Sequence, residues 1–200
     1  MTRFQDVFGR AKPVIAMVHL GAMPGTPLHD AARGVDGILA GAAADLAALQ
    51  AAGVDAVMFG NENDRPYELK VDPASTATMA YVIGRLRDRI TVPFGVNVLW
   101  DPMATMALAA ATGAAFVREI FTGTYASDMG LWAPDAGAAR RYAARLGAGD
   151  VATLYNVSAE FAGSLDPRPL PDRARSAVFS SVPDAVLVSG AITGEAARME

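Results

Sequence analysis

Two histidines, one run of polar residues and a few polar side chains inside apolar runs are the parts of this chain able to do chemistry. His19 closes the apolar run VIAMVH (14–19). A histidine at a strand end can serve as acid, base or metal ligand; the alternative is a hydrogen-bonded structural histidine. His29, in a loop with Pro27 and Asp30, reads as a surface or lid residue. NENDRP (61–66) follows the second apolar run, VDAVMF (54–59). Consecutive polar residues are costly to bury, so their place after a strand points to a ligand or to a solvated loop. Glu62 is expected as a general base or metal carboxylate. Asn63, Asp64 and Arg65 are expected to hold a hydroxylated or anionic ligand, Arg65 by bidentate contact.

Other polar residues interrupt later apolar runs. Asn97 lies within PFGVNVL (93–99) and Asn156 within VATLYNV (151–157). A buried amide needs partners, either a ligand or a satisfied core network. Ser158 and Glu160 extend the polar stretch after Asn156, and Ser189 lies next to the end of the run DAVLVSG (184–190). Arg118 and Glu119 are adjacent within AFVREIF (115–121). Neighbours on a strand point to opposite faces, so one should face inward and the other pair with a helix side chain. Arg118 is the expected ligand-facing residue, and Glu119 is kept as a catalytic or metal carboxylate. TGTYASDMG (122–130) has the composition of a lid. Arg140, Arg141 and Arg145 read as a solvated helix face, and Met103 and Met106 as core.

Absences narrow the chemistry. The chain has no cysteine, which excludes disulfides and thiolate sites. Its two lysines, Lys12 and Lys70, lie outside the apolar runs, so no Schiff-base lysine is offered. No H-x-H, H-E-x-x-H, G-x-S-x-G or Walker A pattern occurs. The cofactor is unknown; a Mg²⁺ or Mn²⁺ site on Glu62 or Glu119 is left open.

The elements that must position these residues repeat as strand, loop, helix. Short, near-continuous apolar runs suit parallel strands covered on both faces. Between them, 35–53, 72–90, 101–113, 134–146 and 171–182 read as helices, and Thr193-Gly194-Glu195 as the start of another. Asp72-Pro73 and Asp101-Pro102 are start signals, an N-cap followed by proline at the first helical position. No Asn-Gly hairpin signal separates the units. Both doubly wound sheets and barrels give this order. The first strand-to-helix turn lacks G-x-G-x-x-G, which disfavours a dinucleotide fold. Helix-to-strand links are tight and several strand-to-helix links are long, which favours a barrel with its site at the strand C-termini.

The expected fold is therefore an α/β TIM (β/α)₈-type barrel. About six βα units are present and the last two are expected to be missing, so that residues 1–200 form a single incomplete barrel domain.

With 52% hydrophobic and 19% charged residues the chain suits a soluble globular protein. Its net charge of −4 and scattered basic residues argue against a nucleic-acid partner. No apolar run reaches the ~18–20 residues of a transmembrane segment, and no signal peptide is read at the N-terminus. The expected compartment is cytoplasmic and the expected partner a small-molecule metabolite; a homo-oligomer is left open.

KPVIAMVHLGAMPG, GVDAVMFGNENDRPYELKV, VPFGVNVLWDPMATMALAAATGAAFVREIFTGTYASDMG, YNVSAEFAGSL and DAVLVSGAITGE span nearly the whole chain in order. With them the chain resembles the BtpA/SgcQ family, and NENDRPYELK resembles the SgcQ branch. The resemblance implies a ribulose-phosphate-binding-type barrel that would continue through a Gly-rich strand and loop. It brings two functional associations, sugar metabolism for one branch and photosystem I biogenesis for the other. It implies no catalytic residues. The leading expectation is an enzyme acting on a small sugar or phosphosugar-like metabolite by acid–base or metal-assisted chemistry, a lyase, isomerase or hydrolase. The alternative is a non-catalytic assembly factor using the barrel as a scaffold, with an exposed apolar patch for its partner.

Overall fold

Each of the six apolar runs forms a strand of one sheet. The computed structural model describes residues 3–192 and 194–197. In chain order its strands are β1 (Ile15–His19), β2 (Ala56–Gly60), β3 (Phe94–Asn97), β4 (Phe116–Glu119), β5 (Tyr125–Ser127), β6 (Gly130–Trp132), β7 (Ala152–Asn156), β8 (Ala162–Ser164) and β9 (Ala185–Leu187). Its helices are α1 (Arg3–Phe8), α2 (Gly34–Ala51), α3 (Pro73–Leu86), α4 (Pro102–Thr112), α5 (Ala136–Arg145) and α6 (Leu170–Ser181). The main sheet runs β1-β2-β3-β4-β7-β9, every neighbouring pair parallel. Spatial order follows chain order with no switch point. That is the order of a TIM-type barrel, not of a doubly wound sheet. The sheet is open, with β1 and β9 as its edges.

Strand alternation divides the apolar residues into two cores. One face packs Ile15, Met17, Ala56, Met58, Phe116 and Leu154 together, the interior of the curved sheet. The other face packs Val18, Val57, Phe59, Val96, Val117 and Tyr155 against the helices. Gly95 shows how tight the interior is: a Cβ there would come 2.3 Å from the Phe116 ring. Burial of each large side chain contributes roughly 1.5–3 kcal/mol, and the helix-facing core is the larger of the two.

The helices begin where their caps place them. Asp72 accepts the Ala74 amide at 2.7 Å. Asp101 accepts the Met103 and Ala104 amides at 2.9 and 3.0 Å. Asp135 accepts the Ala138 amide at 2.8 Å and starts α5. Gly113 ends α4 at φ 70°, a left-handed position that glycine adopts without Cβ strain.

Several expectations are corrected. The N-terminal helix α1 was not expected. It closes the floor of the interior: Phe8 lies 5.0 Å from Phe116 and 4.7 Å from Phe4, centroid to centroid. Arg3 ties it down through Asp184 Oδ1 (3.0 Å) and Gly149 O (2.8 Å). A hairpin does occur, β5 antiparallel to β6, and β8 pairs with β5 on its other side. Its two-residue turn lacks Asn-Gly. Ser127 Oγ instead accepts the Met129 amide and donates to Gly130 O, and Gly130 takes φ +98°. Met103 is 38% exposed rather than core, while Met106 is buried. In the basic face of α5, Arg140 Nη1 reaches Val151 O at 3.3 Å and is half-buried, so only Arg141 and Arg145 are solvated. Of the helix start read at 193–195, Thr193 lies outside the described residues, and Gly194 and Glu195 form a turn and a bend.

Candidate functional site

On most strands the last inward-facing residue is polar. The alternation that places Ile15 and Met17 in the interior gives His19 next on β1. It gives Arg118 after Phe116 on β4, and Asn156 after Leu154 on β7. Asn97 follows Gly95 on β3, in register with Gly60, which is itself in register with His19. Ser189 lies two residues beyond Leu187 of β9. An apolar interior thus ends in a polar layer at the strand C-termini.

Five of the sequence-derived residues meet in one network there. Arg118 Nε donates to Asn156 Oδ1 at 2.9 Å, and its Nη2 lies 3.2 Å from Ser189 Oγ and 3.5 Å from Glu160 Oε1. Asn156 Nδ2 donates to Ser189 Oγ. Ser158 Oγ accepts the Ser189 amide at 2.8 Å and donates to Ser189 O at 3.2 Å, joining the segments after β7 and β9. Arg118 and Glu160 are both partly accessible. The network therefore presents a guanidinium, an amide, two hydroxyls and a carboxylate, at the edge of the interior.

Glu119 faces the other way, as strand alternation requires. Its partner is not a helix side chain, which corrects the expectation for this pair. Asn97 Nδ2 donates to Glu119 Oε2 at 2.7 Å and to Arg118 O at 2.7 Å, and the Ile120 amide donates to Oε1 at 2.6 Å. The residue is 2% exposed. Burial pushes its carboxyl up to about 8, against the lowering effects of the Ile120 amide, Arg118 and Asn97.

The NENDRP loop divides into two functions. Asp64 is buried, with Oδ1 on the Met23 amide at 2.7 Å and Oδ2 near Asn61 Nδ2 at 3.3 Å. Asn61 Oδ1 accepts the Leu99 amide at 2.7 Å, and Asn63 Nδ2 donates to Leu20 O at 2.7 Å. These three side chains pin the connections after β1, β2 and β3 to one another. Asn61 was missed as an individual residue, and its signal was its place two residues after the second apolar run. Glu62 stands apart beside Tyr67, whose hydroxyl is 3.3 Å from Glu62 Oε1. Burial and the Glu62 carboxylate push the Tyr67 phenol up to about 12. Arg65 is exposed.

His19 sits on edge strand β1, away from the Arg118 network. It lines a cavity of about 260 Å³ together with His29, Asp30, Arg33, Asp45 and Asn63. His29 Nδ1 is 2.8 Å from Ala22 O. Among the described residues no group of three or more His, Cys, Asp or Glu is arranged to hold a metal ion.

An aromatic cluster over the strand ends was also missed. Trp100 packs edge-on against Tyr67 (5.7 Å), Trp132 (5.5 Å) and Phe161 (6.1 Å). Tyr125 packs on Trp132 at 5.5 Å. These rings come from the connections after β2, β3, β4 and β7, and the β5–β6–β8 sheet carries or flanks three of them. Phe161 holds φ 57° while its amide donates to Ala191 O and its carbonyl accepts the Asp128 amide. The sequence signal was that both tryptophans fall in strand-to-helix connections.

Parallel strands in barrel order, with polar C-terminal ends under an aromatic cap, define an α/β protein of the TIM-barrel type. The fold has solved counterparts. Dihydropteroate synthase of Xanthomonas albilineans with 4-aminobenzoic acid superposes with a TM-score of 0.56 at 17% identity, covering 92% of this chain and 62% of that one. The same enzyme in complex with 7,8-dihydropteroate gives 0.55 at 17%, covering 96% and 66%. At such identity the likeness concerns the fold alone.

The chain belongs to the BtpA family, whose model matches residues 10–200. It is 52% identical to the sgc region protein SgcQ of Escherichia coli (strain K12), over 97% of this chain and 72% of that protein. It is 32% identical to the photosystem I biogenesis protein BtpA of Synechocystis sp., over 100% of this chain and 69% of that protein.

Proposed function

We propose that this chain is an enzyme acting on a small sugar or phosphosugar-like metabolite held at the strand C-termini. The observation that carries the reading is the convergence of Arg118, Asn156 and Ser189 from three neighbouring strands onto one point. A guanidinium beside an amide and hydroxyls matches a ligand with a negative or carbonyl oxygen next to hydroxyl groups. In this reading Arg118 fixes that oxygen, and Asn156, Ser158, Ser189 and Glu160 bind hydroxyls. Glu62 and His19 lie outside this network, and they supply the acid and base to a ligand that extends from it towards β1 and β2, a contribution of ~10²–10⁴-fold for each group. Glu119 acts through Asn97, as a positioning residue. Asn63, Asp64 and Arg65 shape the opposite rim.

A thermal-shift screen of sugars and phosphosugars, with and without Mg²⁺, Mn²⁺ and Zn²⁺, tests the proposal. A hit bound at this network should disappear in Arg118→Gln and Asn156→Ala. Once a substrate is known, His19→Ala and Glu62→Gln should each lower kcat by ~10²–10⁴-fold. Full activity in both variants would remove them from the mechanism.

The likeness to a photosystem I biogenesis protein supports a second reading, a non-catalytic assembly factor. One surface suits it: Phe179 on α6 is 90% exposed, with Val178 and Val182 exposed beside it. This reading predicts that Phe179→Glu abolishes function in cells while Arg118→Gln leaves it intact; the opposite pattern supports the enzyme.

A further inference from the structure

A second cavity lies outside the strand-end network, between the start of the β4–α5 connection and α6. It encloses about 530 Å³. Thr122, Thr124, Ser164 and Ser176 bring hydroxyls to its wall, with Arg168 and Arg173 among them. No member of the Arg118 network lines it.

The charges in this cavity favour an anion. Arg168 is held by Asp166, with Nε 3.0 Å from each carboxylate oxygen and Nη2 2.6 Å from Oδ2. That contact draws the Asp166 carboxyl down to about 2, so the pair stays ionised and neutral overall. Arg173 is left as the uncompensated charge of the cavity wall. Its Nη1 reaches Val157 O at 3.4 Å, beyond the usual range for such a bond. Its Nε is buried and has no hydrogen-bond partner among the described residues. That nitrogen faces protein rather than the cavity, so it is the rest of the guanidinium, on the cavity wall, that can meet a phosphate oxygen. The volume exceeds what a single inorganic anion fills, and the remaining wall is rich in hydroxyls.

We propose that this cavity binds a phosphomonoester of a small polyol, its phosphate on Arg173 and the hydroxyls of Thr122, Thr124 and Ser176. The site is separate from the strand-end reading and does not depend on it. Thr122 and Thr124 lead directly into β5, so the ligand sits at the root of the hairpin beside Tyr125.

Calorimetric titration of the 200-residue chain tests this, with glycerol 3-phosphate, inorganic phosphate and glycerol as probes. Glycerol 3-phosphate should bind saturably and more tightly than inorganic phosphate, and glycerol should not bind. Arg173→Gln should weaken the ester by about tenfold or more, as expected for loss of a charge-assisted bond. Thr124→Val, in an exposed loop, should weaken it by about threefold and serves if Arg173→Gln does not fold. Arg118→Gln should retain the Arg173-dependent binding. No saturable binding, no preference for the ester, or loss of binding in Arg118→Gln but not in Arg173→Gln would each overturn the proposal.

Discussion

Glu119 is the residue whose behaviour follows most directly from its surroundings. Its folded-state carboxyl titrates near 8, above the ordinary value of 4.5, because burial disfavours the anion. Between those values the folded chain binds more protons than the unfolded one. Stability from this group is therefore present at low pH and is lost as pH rises from about 4.5 to about 8. Glu119→Gln should flatten the fall in Tm across that window while keeping one of the two contacts, to Asn97 or to the Ile120 amide. A variant whose Tm falls as steeply as the parent's would locate the pH dependence elsewhere. Gly95 gives a test of packing: with Phe116 at 2.3 Å from a built Cβ, Gly95→Ala should cost about 1–3 kcal/mol in urea denaturation. An unchanged midpoint would contradict the packing described. At this scale the sequence was informative where a polar residue broke an apolar run. Arg118, Asn97 and Asn156 stood out in that way. It could not reveal which member of Arg118-Glu119 faces inward, because alternation fixes only that they differ. Nor could it show that Asp64 is engaged by the Met23 amide, a contact made across 41 residues.

Among the elements, the strands of the main sheet and α2 to α6 were legible, because apolar runs and Asp-Pro caps mark them locally. The structure moves their ends by a few residues at most. Asp101 joins two of these elements. Besides capping α4, its Oδ2 accepts the Val71 amide at 3.3 Å in the connection leading to α3. Asp101→Ala should therefore cost about 1–2 kcal/mol, the upper range for an N-cap, and Asp101→Asn less. Equal stabilities would mean that the cap contributes nothing here. The six-residue α1 was not legible, since its hold comes from Phe116, Asp184 and Gly149 far along the chain. The β5–β6 hairpin was also hidden. Its strands have three residues each, too few for alternation to show, and its turn relies on Ser127 and Gly130 instead of Asn-Gly. The 122–130 segment was read as a lid from composition; its ordered strands and the aromatic rings beneath it appear only in three dimensions.

For the whole molecule, the barrel order of the strands sets where function can reside. Parallel strands point all their C-termini to one end, so polar residues that are distant in sequence arrive at one layer. Arg118 and Ser189 are 71 residues apart and meet at 3.2 Å. No helix of the described residues is long and apolar enough to cross a membrane. The Arg118–Asn156–Ser189 network is proposed to receive a small sugar-like metabolite. The most direct measurement is the thermal-shift screen of sugars and phosphosugars, run side by side on the parent chain, Arg118→Gln and Arg173→Gln. At least one compound should raise the Tm of the parent and of Arg173→Gln but not that of Arg118→Gln. If every hit persists undiminished in Arg118→Gln, or if there are no hits in a screen where glycerol 3-phosphate still binds through Arg173, the network is not the binding site.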